Sequence, residues 1–480
     1  MKRKYIILLM CMIASVAMAG IHTYTGQSVL SNGKFVKISV QETGVHSISY
    51  EMLKEWGLNP ENVEVLGYGG AMLSEDFTKH HWDDLPSVAF YMHKGDDGVF
   101  SSGDYILFYA QGPVKWELND NGEWGHIRNP YSNEGYYFVT DQVGLQKLIQ
   151  TSHEQYNTTS VVDVDWYTSL NVHENERFNL IDLNRQSGGG REFYGELLNQ
   201  QKRDTVITFS LNNVRTDLFA RCIVDMAANS GEVTSIQVTY ANKPQTLKMS
   251  AISITDYHTK ATTKKISFTE KPVSDVNQTV GLQFNGANGA NAYLNYVELH
   301  VPCALKMQGN ELPIVNTDYL GRSQAIRYNM ESANSNIQIW CVTNGVDVEL
   351  MPINHNGSTI TWLGSNTTAE QYIAVDVNGT NWKTPKKVAD VATQNLHALE
   401  NIDYVIICPE AFVEPSTRLA KKHEEIDGLT WAVVTEEQVF NEFSSGTPDV
   451  TAYRWLMKML YDRANGDESK QPKSLLLMGN

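Results

Sequence analysis

Two short apolar runs decide how this chain folds: Ile402-Asp403-Tyr404-Val405-Ile406-Ile407-Cys408 and Leu475-Leu476-Leu477-Met478. A continuous apolar run of this length is the pattern of a strand buried on both faces. Between them, Ser416–Ile426 reads as a helix, Trp431-Ala432-Val433-Val434 as a second strand, and Glu436–Phe443 as a short, partly helical piece. Thr447 stands where it would cap a further helix, with Pro448 at the first position and Asp449 in the first turn. In that helix Tyr453, Leu456, Met457, Leu460 and Ala464 recur at helical spacing, which predicts one buried face. Strand, helix, strand, helix, strand at this spacing predicts a parallel α/β sheet with right-handed crossovers.

Working back toward the N-terminus, the pattern is β throughout. Lys34–Val40 and Val45–Tyr50 alternate apolar and polar residues around Thr43-Gly44, a strand–turn–strand pattern. Glu51–Trp56 reads as a short helix stopped by Gly57, and Gly67-Tyr68-Gly69-Gly70 as a tight turn. Tyr105–Tyr109 and Tyr136–Thr140 are aromatic-rich strands. Strand-like runs continue at Val206–Leu211, Leu218–Met226, Ser235–Tyr240 and Ala292–His300, with a glycine-punctuated corner at Gly188–Glu196. Short strands with frequent Gly, Asn and Ser turns predict a sandwich or jelly-roll. Residues 306–390 carry shorter strands, tight hairpins at Asn356-Gly357 and Asn378-Gly379, and a linker at Trp382–Val388 containing Pro385.

The start of the chain reads as an export signal: Lys2, Arg3 and Lys4, an apolar core from Tyr5 to Val16, and the small-residue site Ala17-Met18-Ala19. Its removal takes the formal net charge from −17 to −20. That balance opposes nucleic acid and anionic lipid surfaces as partners. No later run reaches the roughly 20 apolar residues of a membrane-spanning helix. The expected location is therefore outside the cytoplasm: periplasm, outer-membrane surface or extracellular space. Of the cysteines left, Cys222, Cys303, Cys341 and Cys408 are widely spaced and lack CxxC pairing, so a zinc site is unsupported. His80 and His81 in Lys79–Asp84 point to opposite faces of an extended backbone and read as a solvated loop. The acidic turns Gly95–Gly98 and Gly103-Asp104 could hold calcium but lack EF-hand spacing.

An ordered set of motifs resembles the gingipain family of cysteine peptidases, and within it the branch acting as sortase of the type IX secretion system. The set comprises Gly33–Ile38, Gly67–Gly70, Asp83-Asp84-Leu85, Gly103–Tyr109, Gly190–Glu196, Trp340–Thr343, Gln394–His397, Asn441–Gly446, Thr451–Arg454 and Leu475–Gly479. Cys341 stands where the family usually has an acidic residue, and Asn480 where it has aspartate. The resemblance implies a multidomain fold. A β-rich N-terminal domain and a β-sandwich or jelly-roll domain are followed by a partial caspase-like α/β domain with a parallel sheet. The corresponding divisions are 1–19 signal peptide, 20–163 N-terminal β-rich domain, 164–305 β-sandwich domain, 306–390 small β subdomain and linker, and 391–480 gingipain-type α/β domain, read as C-terminally truncated. It also implies a thiol acyl-enzyme mechanism that cleaves the C-terminal sorting domain from cargo and attaches the cargo to an anionic sugar-lipid. The implied partners are type IX secretion cargo and outer-membrane secretion components.

The family's catalytic histidine and nucleophilic cysteine lie on later strands, so neither is carried over. No catalytic, cofactor-binding or metal residue is assigned, and no cofactor is expected. His397, His423 and Cys408 are not promoted to those roles. The expectation is a chain inactive alone. The alternatives are a non-catalytic β-rich binding module of the secretion machinery and a remnant of a split gene.

Overall fold

In the computed structural model, β1 (Phe35–Val40) is buried along its whole length. The structure describes residues 22–142, 144, 146–154, 156, 160–180, 191–255 and 259–479. The export signal at 1–19 and the Gly188–Gly190 part of the glycine corner lie outside the described residues. β2 (Gly44–Ser49) follows directly, yet the two strands do not pair. β2 joins β5 (Tyr105–Ala110) and β4 (Phe90–His93), while β1 joins β8 (Gly135–Thr140), which pairs in turn with β3 (Glu64–Leu66). The two sheets share one core, with Val36, Ile38 and Val139 on one side and Ile48, Phe90 and Phe108 on the other. The turn at Gly44 is thus a corner between layers. Helix α1 (Tyr50–Glu55) is capped by the Ser49 hydroxyl; Gly57, at φ +71°, ends it, as the sequence predicts.

The fourth strand beside β1 is Lys386–Val391, paired antiparallel with Phe35 opposite Val391. The expected linker at Trp382–Val388 is corrected accordingly: its second half begins a strand in an edge position, with Lys386, Lys387, Val388 and Asp390 exposed. Asn378-Gly379 is likewise no hairpin. It ends the strand Gln371–Asp376, and the next strand belongs to the β1 sheet. Asn356-Gly357 does turn a hairpin, between Asn354–Asn356 and Thr359–Gly364.

A ten-stranded sheet occupies the middle of the molecule, with Asn291–Ala304 between Ala220–Asn229 and Trp166–Glu174. It continues through Glu311–Val315, Gln371–Asp376 and Ile337–Cys341, so it joins strands from both sides of residue 305. Two four-stranded sheets share its core: Ile236, Val238 and Leu282 from one, and Ile326, Tyr328 and Trp362 from the other. In Thr234–Tyr240 buried and half-buried residues alternate strictly, the signature of a strand with one face on a core.

At the C-terminal end, Tyr404–Cys408 is the centre of a parallel sheet, flanked by Trp431–Thr435 and Ser474–Leu477. Its Val405 and Ile407 face one apolar cluster and Tyr404 and Ile406 another, as the continuous apolar run predicts. Helix α2 (Val413–Asp427) connects the first two strands; α3 (Glu436–Phe443) and α4 (Thr451–Arg463) connect the second and third. Two expectations are corrected here. The buried face of α4 is Ala452, Trp455, Leu456, Met459 and Leu460, one residue round from the expected stripe, because Trp455 packs inward against Phe77 and His81. Ser474–Leu477 is not buried: Leu477 is 58 % exposed, and among the described residues this strand pairs only with Tyr404–Cys408.

Candidate functional site

The segment Asn441–Asp449 docks the α/β unit onto the N-terminal sheets. α3 starts with a capping box, Thr435 Oγ1 accepting from Gln438 N–H and the Gln438 side chain accepting from Thr435 N–H. It ends in a sharp turn through Ser445 (φ +54°) and Gly446 (φ +75°). The turn drives Ser445 Oγ between two strands of backbone. It accepts from Tyr68 N–H (2.9 Å) and Gly69 N–H (3.3 Å) and donates to Tyr136 O (2.9 Å). Thr447 Oγ1 donates to Gly69 O (3.0 Å), and Asp449 Oδ2 accepts from Leu73 N–H (2.8 Å). Thr447 is therefore no helix cap: α4 begins at Thr451, whose N–H is accepted by Asp449 Oδ1 at 2.8 Å. Burial pushes the Asp449 carboxyl up from its ordinary range.

Ser445→Ala is expected to leave the Tyr68 and Gly69 N–H groups unpaired and to cost about 1–3 kcal/mol, read as a lower urea midpoint.

Beside this loop lies an internal charge cluster. Glu442, fully buried, accepts from Gln394 Nε2 (2.9 Å), Leu396 N–H (2.8 Å), His397 N–H (3.0 Å) and His397 Nδ1 (2.6 Å). The other ring nitrogen of His397 is 2.8 Å from Asp83 O and 3.4 Å from Asp83 Oδ1. Phe443 stacks on the imidazole with centroids 4.8 Å apart. Burial opposes a charge on His397, but its bonds to Asp83 and Glu442 outweigh that and raise its pKa to about 10. A histidine already protonated at neutral pH cannot serve as a general base. Its role is to join Asp83 of the N-terminal unit to Glu442 of α3. Nearby, Lys37 on β1 donates to Asn441 Oδ1 (3.0 Å), and burial lowers its pKa.

The remaining candidates separate. His423 pairs with Asp427 (2.7 Å) on the exposed side of α2. Cys408 is buried in its strand, with Sγ 3.9 Å from Val434 O. Cys222 and Cys303 are free and buried, and burial raises both thiols to about 12. Burial also raises the half-buried Cys341 thiol, whose neighbour is Thr343 Oγ1 at 3.4 Å. His81 corrects the expected solvated loop: it stacks on Trp455 at 3.9 Å, and burial lowers its pKa to about 3. In the acidic turns, Asp104 is committed to backbone, accepting from Gly95 N–H (2.9 Å) and Ser101 N–H (2.7 Å).

The junction residues were legible only in part. Val439, Glu442 and Phe443 stand at i, i+3 and i+4, so Glu442 sits on the apolar stripe of α3. A carboxylate there signals a buried partner, and the nearby His397 is that partner.

Residues 397–480 match the profile of peptidase family C25. No curated protein matches the chain. Among solved structures, the chain is similar to dimeric latent PorU from Porphyromonas gingivalis, at 26 % identity and a TM-score of 0.82. The match covers 95 % of this chain and 42 % of that one, so this chain spans less than half the length of PorU. Carbohydrate-binding module CBM36 in complex with calcium and xylotriose aligns with 27 % of the chain at 12 % identity, but its TM-score of 0.18 has no bearing on fold or function. The gingipain resemblance read from the sequence is thereby borne out: residues 397–480 carry the signature of peptidase family C25 within a chain built like PorU.

Proposed function

We propose that this chain forms the scaffold of an exported, PorU-type cysteine peptidase that serves as a type IX secretion sortase. In this reading the peptidase cleaves C-terminal sorting domains from cargo through a thiol acyl-enzyme. The observation that carries it is the family C25 match over 397–480, set in a fold shared with PorU over 95 % of the chain. The three-stranded parallel sheet is, on this reading, the opening of a caspase-like sheet, and the ten-stranded sheet with its two facing layers is the jelly-roll part. The divisions at 163 and 390 belong to the same proposal, with residues on both sides of 305 in one central β unit, as do export and the secretion-machinery partners.

Within this chain the described residues supply position rather than a nucleophile. The thiol neighbours include Thr343 Oγ1 for Cys341, the Val434 carbonyl for Cys408 and the Tyr167 hydroxyl for Cys303, none of which is a base that can activate a thiolate. His397 is held protonated between two carboxylate residues. Purified residues 20–480 are therefore expected to show no cleavage of a peptide bearing a sorting-domain junction, followed by mass spectrometry. Cleavage abolished by a thiol alkylating agent would refute that expectation. Failure of an in-frame longer form to cleave the same peptide would sink the peptidase reading itself.

A further inference from the structure

A cleft of about 1040 Å³ opens where the N-terminal sheets, the Val342–Val346 loop and α4 meet. One wall is β6 (Val114–Leu118), which pairs with β7 (Trp124–Arg128) and, among the described residues, with no other strand. Lys115, Trp116, Glu117 and Leu118 all border the cleft. Successive side chains of a strand leave on opposite faces, so four consecutive residues around one space set the strand's edge against it.

The phase of the ladder can be read from its ends. Asn129 N–H donates to Pro113 O (2.8 Å) and Asn119 N–H to Glu123 O (2.9 Å). Lys115 lies opposite Ile127 and Glu117 opposite Gly125. The bonds exchanged with β7 therefore fall at Lys115 and Glu117, and the N–H and C=O groups of Trp116 and Leu118 point away from it. The next carbonyl on that edge, Val114 O, already accepts from Gln111 Nε2 (2.8 Å) and Thr43 Oγ1 (3.1 Å). The open stretch is Trp116–Leu118. Elsewhere the cleft is bordered by Tyr68, His81 and Trp455, whose Oη, Nε2 and Nε1 atoms are buried without a hydrogen-bond partner among the described residues. Trp455 is only 1 % exposed.

We propose that this cleft binds an extended polypeptide segment, added as a strand to the free edge of β6. An edge offering donor and acceptor at every second residue matches another polypeptide backbone, which is the basis of β-strand addition. A sugar has no such repeat and would use side-chain amides and aromatic faces instead. This inference stands independently of the peptidase reading.

The test uses the purified full chain and an array of synthetic end-capped peptides, with a glycan array in parallel. The tightest peptide is then N-methylated at each amide in turn. N-methylation at alternate amides is expected to weaken binding at least about tenfold, or about 1.4 kcal/mol, with intervening amides indifferent. Leu118→Pro removes an outward N–H together with a side chain that borders the cleft; position 118 donates nothing to the ladder, so a similar loss is expected without a lower melting temperature. The proposal is overturned if no peptide binds, if the N-methyl scan shows no alternation, or if glycans bind and peptides do not. Should Leu118→Pro fail to fold, the N-methyl scan on the unaltered protein decides.

Discussion

Glu442→Ala is expected to be among the most damaging single substitutions in the α/β unit, lowering stability by about 3–5 kcal/mol. The carboxylate has four donors around it and no exposure to water, so its removal leaves a buried imidazolium and two backbone N–H groups without their acceptor. Denaturant titration gives the magnitude, and hydrogen exchange shows where it falls. Amides at Leu396 and His397 should lose protection first, ahead of those in β1 and β8.

The same cluster has a pH signature. His397 titrates at about 10 in the folded chain against an ordinary value of 6.5. A raised pKa means that the folded state holds the proton more tightly. The stabilisation is complete below pH 6.5 and fades as pH rises toward 10. The difference in melting temperature between wild type and His397→Gln should therefore shrink over that window. A constant difference from pH 6 to pH 10 would show that the imidazolium contributes nothing.

Gly69→Ala is the second substitution expected to have a large effect. Gly69 has φ +81°, and an added Cβ would lie 2.2 Å from Gln111 O and 2.6 Å from Tyr137 Oη. The left-handed backbone alone costs about 1–2 kcal/mol for a residue with a Cβ. The clash adds to this, because one of the two obstructing atoms is backbone and cannot swing aside. Gly98→Ala is the matched control: its φ is +69°, but the Cβ would meet nothing within 4 Å. The expected result is a small fall in melting temperature for Gly98→Ala and a large fall, or loss of soluble protein, for Gly69→Ala. Equal effects would show that backbone conformation alone decides both.

What could be read in advance follows from how local each signal is. Tyr404–Cys408 is apolar at every position, and a central parallel strand is the structure that needs this. The stop at Gly57 is likewise set within a few residues. Leu475 and Leu477 read like a central strand, yet among the described residues their strand pairs on one side alone, and pairing partners are not specified by the run itself. Lys386–Val391 carries two lysines and an aspartate in six residues, and its partner β1 is some 350 residues away. The junction was half legible, as Glu442 falls on a helical stripe, while the role of Ser445 depends on Tyr68 and Tyr136 meeting around it.

The pairing of Lys386–Val391 with β1 also bears on the order of assembly. β1 lies between β8 and this late strand, so the first sheet of the chain cannot close until nearly four hundred residues have emerged. Contacts of such long sequence separation delay folding, and until then one side of β1 offers unpaired backbone to any neighbouring chain. A fragment ending near residue 163 should aggregate where one extending past Val391 does not.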